Sequence, residues 1–156
     1  MRHHSIRQIP SRAFCKLLVI GLLLMAGLNA LAAELPCQVN YRQDGSFVAG
    51  RQFTTWDIIA DVPLAVAFKR ITVEGVKSGL TVSHSDVDLG ILSFSQANAG
   101  VTNTGQQVNL PWNVTIEPEG AGSRITVSKT TPGGYATSQD FQIASMCGVI
   151  DAARNP

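Results

Sequence analysis

The stretch Asp61-Val-Pro-Leu64-Ala-Val-Ala-Phe68-Lys-Arg-Ile71-Thr-Val-Glu-Gly75-Val-Lys-Ser-Gly79-Leu-Thr-Val-Ser-His84-Ser-Asp86-Val-Asp88-Leu-Gly90-Ile-Leu-Ser-Phe94 changes its hydrophobic period half-way along. Up to Gly79, residues Leu64, Phe68, Ile71 and Gly75 fall on one face at helical spacing. Asp61, two residues before Pro63, reads as an N-cap with proline in the first turn, and Gly79 as the stop. The β-branched run Ile71-Thr-Val73 works against the second half of that helix. After Gly79 the period becomes two, first over Leu80 to His84 and then over Ile91 to Gln96.

Upstream of this stretch, Arg51 to Ile59 is dense in aromatic and β-branched residues and alternates Phe53, Thr55 and Asp57 against Thr54, Trp56 and Ile58, which predicts a strand. Downstream, Val108 to Glu117 and Ser123 to Thr130 are further strand-like runs, separated by Gly-, Asn- and Pro-bearing turns. Ala97 to Gln107, rich in Asn, Thr and Gly, reads as a polar loop. Near the end, Thr137 or Ser138 caps a helix carrying Phe141, Ile143, Ala144, Cys147, Val149 and Ile150 as its apolar face, with Asp140 in the first turn. Four strands in series form an antiparallel meander. The whole is therefore expected to be α+β: a two-layer sandwich, antiparallel sheet packed on helices, in the order β-α-β-β-β-β-α.

The segment Ala67 to Phe94 joins a helix ending in Gly79, a strand, Asp86, then Gly90 and a second strand. That pattern resembles bacterial envelope proteins of helix-grip type, among them a lipoprotein component of the outer-membrane β-barrel assembly machine and several uncharacterised lipoprotein families. The likeness covers this segment residue by residue and the remainder by element order alone. It implies a sheet that grips a helix and an envelope setting. Those proteins carry a lipidated cysteine, which has no counterpart here, and their pattern does not include a cysteine near each end of the domain.

Residues 1–32 carry an export signature. Arg2, Arg7, Arg12 and Lys16 precede the apolar run Leu17 to Leu28 with no acid among them, and Ala30 and Ala32 fit an A-x-A site with cleavage after Ala32. The alternative is an uncleaved anchor, which needs about 20 apolar residues. Cys15 lies before the apolar run, so it is not placed for lipidation. Residues 33–50 then form an N-terminal segment and 51–156 a single α+β domain; the 124 residues after Ala32 suffice for one core and not two. Cys37 and Cys147 are the cysteines left after cleavage, in a chain bound for the periplasm or the exterior. One intramolecular disulfide is the expected pairing, with two free thiols as the alternative; their spacing excludes a C-x-x-C redox site.

The same cleavage leaves eight Lys plus Arg against eleven acidic residues. Lys69-Arg70 is the one adjacent basic pair, so no clustered charge for nucleic acid is present. No G-x-S-x-G elbow and no glycine-rich phosphate loop occurs, and neither a catalytic residue nor a cofactor is expected. His84, Asp86 and Asp88 stand at i, i+2 and i+4, which on a strand points all three to one face and makes them weak metal candidates. Same-face neighbours about 7 Å apart are wide for a shared ion, and Asp86 to Gly90 also reads as turn chemistry. Glu117 and Glu119 flank Pro118 as a carboxylate pair or, on the plainer reading, a solvated turn. Trp56 and Trp112 either fill the core or line a groove. Asn113-Val-Thr115 matches a glycosylation sequon, a pattern short enough to arise by chance.

Two functions follow. One is a non-catalytic envelope protein binding a protein or lipid-like partner through the concave sheet or a strand edge, with the ligand residues not identifiable from sequence and no membrane span after cleavage. The other is a small metal-dependent or hydrolytic enzyme using His84 with Asp86 or Asp88.

Overall fold

The computed structural model describes residues 35–154, so the signal-peptide reading of residues 1–32 lies outside the described residues. Strand β2 (Gly50–Ile59) shows how alternation becomes architecture: Phe53, Thr55, Asp57 and Ile59 are buried while Gln52 and Ile58 are exposed. Before it come a one-turn helix α1 (Pro36–Val39) and strand β1 (Arg42–Ser46), and after it helix α2 (Leu64–Lys77). The meander follows as β3 (Thr81–Asp86), β4 (Ile91–Val101), β5 (Gln107–Glu119) and β6 (Gly122–Thr131), and helix α3 (Gln139–Asp151) closes the fold.

All pairings are antiparallel and the sheet runs β1-β2-β6-β5-β4-β3. Strand β2 therefore docks beside the last strand of the meander. Helices α2 and α3 both pack on the concave face, α3 over β2 and β6 and α2 over β3, β4, β5 and β6. The molecule is thus the expected two-layer α+β sandwich, a helix-grip fold. Its core joins Phe94, Leu110, Trp112, Val114, Ile116, Ile125 and Val127 of the sheet to Ala67, Phe68 and Ile71 of α2 and Met146 and Ile150 of α3. Alternate positions of β5 and β6 supply six of the seven sheet side chains, as period two requires.

Four local expectations are corrected. Strand β1 lies within residues 33–50; all five of its residues are exposed, so it has no apolar pattern to read and is held by main-chain pairing to β2 alone. Asp61 is not the N-cap of α2. It sits at φ 58 in a left-handed turn, a conformation Asp tolerates, and Pro63 in extended conformation occupies the cap, its carbonyl accepting from Val66 and Ala67. The polar loop of Ala97 to Gln107 is shorter than its composition implies: β4 continues to Val101 past a register shift between Gln96 and Gly100. In α3, Phe141 is 54% exposed and Gln142 is fully buried, so the inner face follows Gln142, Met146, Val149 and Ile150.

Other signals act as read. Gly79 has φ 83, and the Leu80 N–H bonds the Gly75 carbonyl while the Gly79 N–H bonds that of Val76, the hydrogen-bond pattern of a Schellman end. Ser138 caps α3, its hydroxyl accepting from the Phe141 N–H at 3.3 Å. Cys37 of α1 is bonded to Cys147 of α3, with Cα atoms 5.8 Å apart and a sequence separation of 110. In the chain-entropy description such a loop contributes about 4–5 kcal/mol by restricting the unfolded chain.

Candidate functional site

Two helices laid side by side on one sheet leave a seam, and here the seam is not filled. Toward solvent it forms a groove of about 750 Å3 lined by Ala65, Val66 and Val73 of α2 and by Gly148 and Ala152 at the α3 end, with Lys69 and Lys77 at its side. Val66 and Val73 are 40% and 45% exposed, an apolar stripe seven residues apart on the outer side of α2. Arg70 lines the groove too and donates to the Ala153 carbonyl at 2.7 Å, tying α2 to the end of α3.

A second cleft of about 340 Å3 opens between α2, α3 and the sheet, lined by Leu80, Trp112, Phe141, Ala144 and Val149 with Ser78, Gln96 and Ser145. Glu74 and Gly148 line both spaces, so groove and cleft adjoin there. A Cβ on Gly148 would meet nothing within 4 Å, so the space beside this glycine is open. Trp112 is buried at 4% exposure and its Nε1 donates to Gln96 Oε1 at 3.1 Å. Of the two tryptophans it alone faces inward. Trp56 is half-buried on the outer side of β2, with the Arg124 guanidinium 4.3 Å from its ring centroid.

Behind the cleft lies Lys129. It follows Ile125 and Val127 at period two on β6, so it points into the concave face, and its cross-strand partners are Trp112 on β5 and Phe53 on β2. Lys129 is 1% exposed, and its Nζ sits 4.1 Å from the Trp112 ring centroid and 5.6 Å from that of Phe141. No hydrogen-bond partner reaches Nζ among the described residues. Burial lowers its pKa from 10.5 to about 8. Two other buried polar atoms lack partners, Tyr41 Oη and Gln142 Oε1. Gln142 follows Phe141 in α3, and the Tyr41 ring stacks on Phe53 with centroids 6.3 Å apart. Burial raises the Tyr41 pKa, against the opposing pull of the Arg51 charge.

The residues singled out from sequence stand elsewhere. His84 is exposed on edge strand β3, where a register shift between Val82 and His84 interrupts the alternation. Asp86 ends that strand and its Oδ1 accepts from the Leu89 N–H at 3.0 Å, while Asp88 is exposed in the turn. Among the described residues no three His, Cys, Asp or Glu side chains converge on a point where a metal ion would sit. Glu117 and Glu119 are exposed at the end of the β5–β6 hairpin, Glu119 pairing with Arg124 at 3.4 Å. Asn113 is exposed and its Oδ1 accepts from Ser93 Oγ at 2.9 Å. Lys129 and the helix seam escaped sequence reading. The lysine carried a signal, since it falls in phase with Ile125 and Val127; the seam exists only once two helices are packed.

No family profile matches this chain, and neither does any curated protein. Among solved structures, the crystal structure of Ara h 8.0201 matches with a TM-score of 0.50 and 17% identity, covering 68% of this chain and 96% of that one. At that identity the likeness is one of fold, and it agrees with the helix-grip arrangement seen here. Among the described residues no helix is long and apolar enough to cross a membrane.

Proposed function

We propose that this chain is an exported, non-catalytic binding protein whose helix seam holds a small apolar or amphipathic molecule. The observation that carries the reading is the joined groove and cleft. Val66, Val73 and Phe141 expose apolar surface around an opening that Gly148 lines on both sides of the junction. The cleft falls within the roughly 300–1,000 Å3 of small-ligand sites and, at the ~30 Å3 a water takes in the liquid, has room for on the order of ten non-hydrogen atoms. The helix-grip arrangement supports it, because a sheet curled around helices offers an enclosed apolar face. Export rests on the basic stretch before Leu17, the Ala30-Leu-Ala32 site and the Cys37–Cys147 bridge. Kinship with the assembly-machine lipoproteins forms no part of the reading, which needs only the fold.

The test is a titration of the purified, disulfide-bonded protein with medium-chain alkanols, followed by the emission of Trp112, in the parent and in a Gly148→Leu variant. A Cβ there meets nothing within 4 Å, so the larger side chain is expected to occupy the junction without displacing the core. Saturable binding in the parent and a loss of about tenfold or more in the variant are expected. An absence of binding, or equal binding by both proteins, overturns the reading. Fractionation of cells, with sequencing of the N-terminus of the exported form, tests cleavage after Ala32.

A further inference from the structure

A lysine on the inward side of a strand is an expensive residue to keep. Lysines are almost never fully buried unless paired, and a buried ammonium is tolerated where a carboxylate or several acceptors meet it. Lys129 has neither. The ion pairs among the described residues use Arg124 and Arg154, and no acid lies within 4 Å of Lys129. Glu74, the acid that lines the cleft, accepts from Ser78 Oγ at 3.5 Å instead. The faces of Trp112 and Phe141 offset part of the cost through their π-clouds, yet rings do not accept three N–H bonds as an anion does.

The amine also lies behind two rings of the cleft wall. Trp112 and Phe141 line that cleft, and their ring centroids lie 4.1 and 5.6 Å from Nζ. Trp112 is fixed in the core, whereas Phe141 is more than half exposed at the first turn of α3, so a change of its side-chain rotamer opens the way to Nζ.

We infer that the ligand of the helix seam is an anionic amphiphile, and that Lys129 Nζ receives its acid head while the apolar part lies along Leu80, Ala144 and Val149. This rests on the seam being the binding site. A carboxylate there would form the charge-assisted contacts that the protein withholds from its own amine. The hydroxyl of Tyr41, another buried donor without a partner, belongs to the residue stacked on Phe53, next to Lys129 across the strands.

The experiment compares decanoate with decanol on the mature protein at pH 7, in the parent, in Lys129→Met and in a Lys69→Ala/Lys77→Ala double variant. Decanoate is expected to bind about tenfold or more tightly than decanol in the parent. In Lys129→Met the two ligands bind alike; in the double variant the preference persists. The preference also declines above about pH 8, where the unliganded amine loses its proton while the ligand stays ionised; the other titrating groups near it are Tyr41 and Glu74. Equal binding of both ligands by the parent overturns this inference and leaves the seam reading standing. A preference that survives in Lys129→Met, or that vanishes in the double variant, also overturns it and moves the head to the outer rim. Failure of both ligands to bind removes the seam reading and this inference together.

Discussion

Gly75 of α2 lies against the ring of Phe94 of β4 so closely that a Cβ at position 75 would fall 2.5 Å from two ring carbons. Phe94 is 1% exposed, so the ring has little room to yield. Replacing Gly75 by Ala gains about 1 kcal/mol of helix propensity but forces overpacking that costs about 1–3 kcal/mol. The expected sum is a loss of up to about 2 kcal/mol in denaturant unfolding. Gly148→Ala in α3 is the control: it makes the same backbone gain and meets open space, so it should stabilise by about 0.5–1 kcal/mol. If both alanines stabilise, close packing at Gly75 is not what holds α2 to the sheet.

That contrast marks how far the sequence is legible. Phe68, Ile71 and Gly75 declared one face of α2, and the period-two runs declared β2 to β6, because burial writes a pattern into a chain. Strand β1 wrote none, since Arg42 to Ser46 are all exposed and pair through main chain only. On α3 the expected Cys147, Val149 and Ile150 are buried, but the first turn is inverted: Gln142 is buried with its Nε2 on Thr137 Oγ1 at 2.6 Å while Phe141 stands out, the reverse of what side-chain chemistry suggests. The proposed site lies where local rules are broken, at a lysine in an inward position and a phenylalanine in an outward one. Places where local reasoning fails are where function is expected.

Asp57 is a second inward polar residue, and it is paired. Its carboxylate, 3% exposed, meets the Arg154 guanidinium and accepts from the Ile58 N–H at 2.7 Å; Arg154 also reaches Asp151 at 3.0 Å. The pair fastens the segment after α3 to β2 across 97 residues. Arg154→Met leaves a buried carboxylate with one main-chain donor. Breaking a buried pair costs about 3–5 kcal/mol, and because Arg154 is one-third exposed a loss of about 2–3 kcal/mol is expected. The double variant Asp57→Leu/Arg154→Met removes both charges and should recover most of that loss. Equal stability of Arg154→Met and the parent would sink this account.

Lys129 gives the opposite sign, because its burial penalises the folded state. Its pKa falls from 10.5 in the unfolded chain to about 8 in the fold, so between these values the unfolded chain holds a proton that the folded one has released. Stability therefore rises with pH through that window, and below about pH 8 the full penalty of roughly 3 kcal/mol is present. Lys129→Met carries no such penalty and should be more stable than the parent at pH 7 by up to about that amount, less whatever the aromatic faces contribute. The difference should narrow steadily above about pH 8; above about pH 10 Tyr41, which burial keeps neutral, lowers the stability of both proteins alike and cancels from it. Denaturant unfolding of both proteins across this range reads the effect directly. A parent more stable than Lys129→Met at pH 7 would mean that the amine is well satisfied inside the protein and has nothing left to offer a ligand. A parent less stable by a margin that shrinks with pH would mean that the fold carries an uncompensated charge at the end of its cleft, which is the state a binding site has before its ligand arrives.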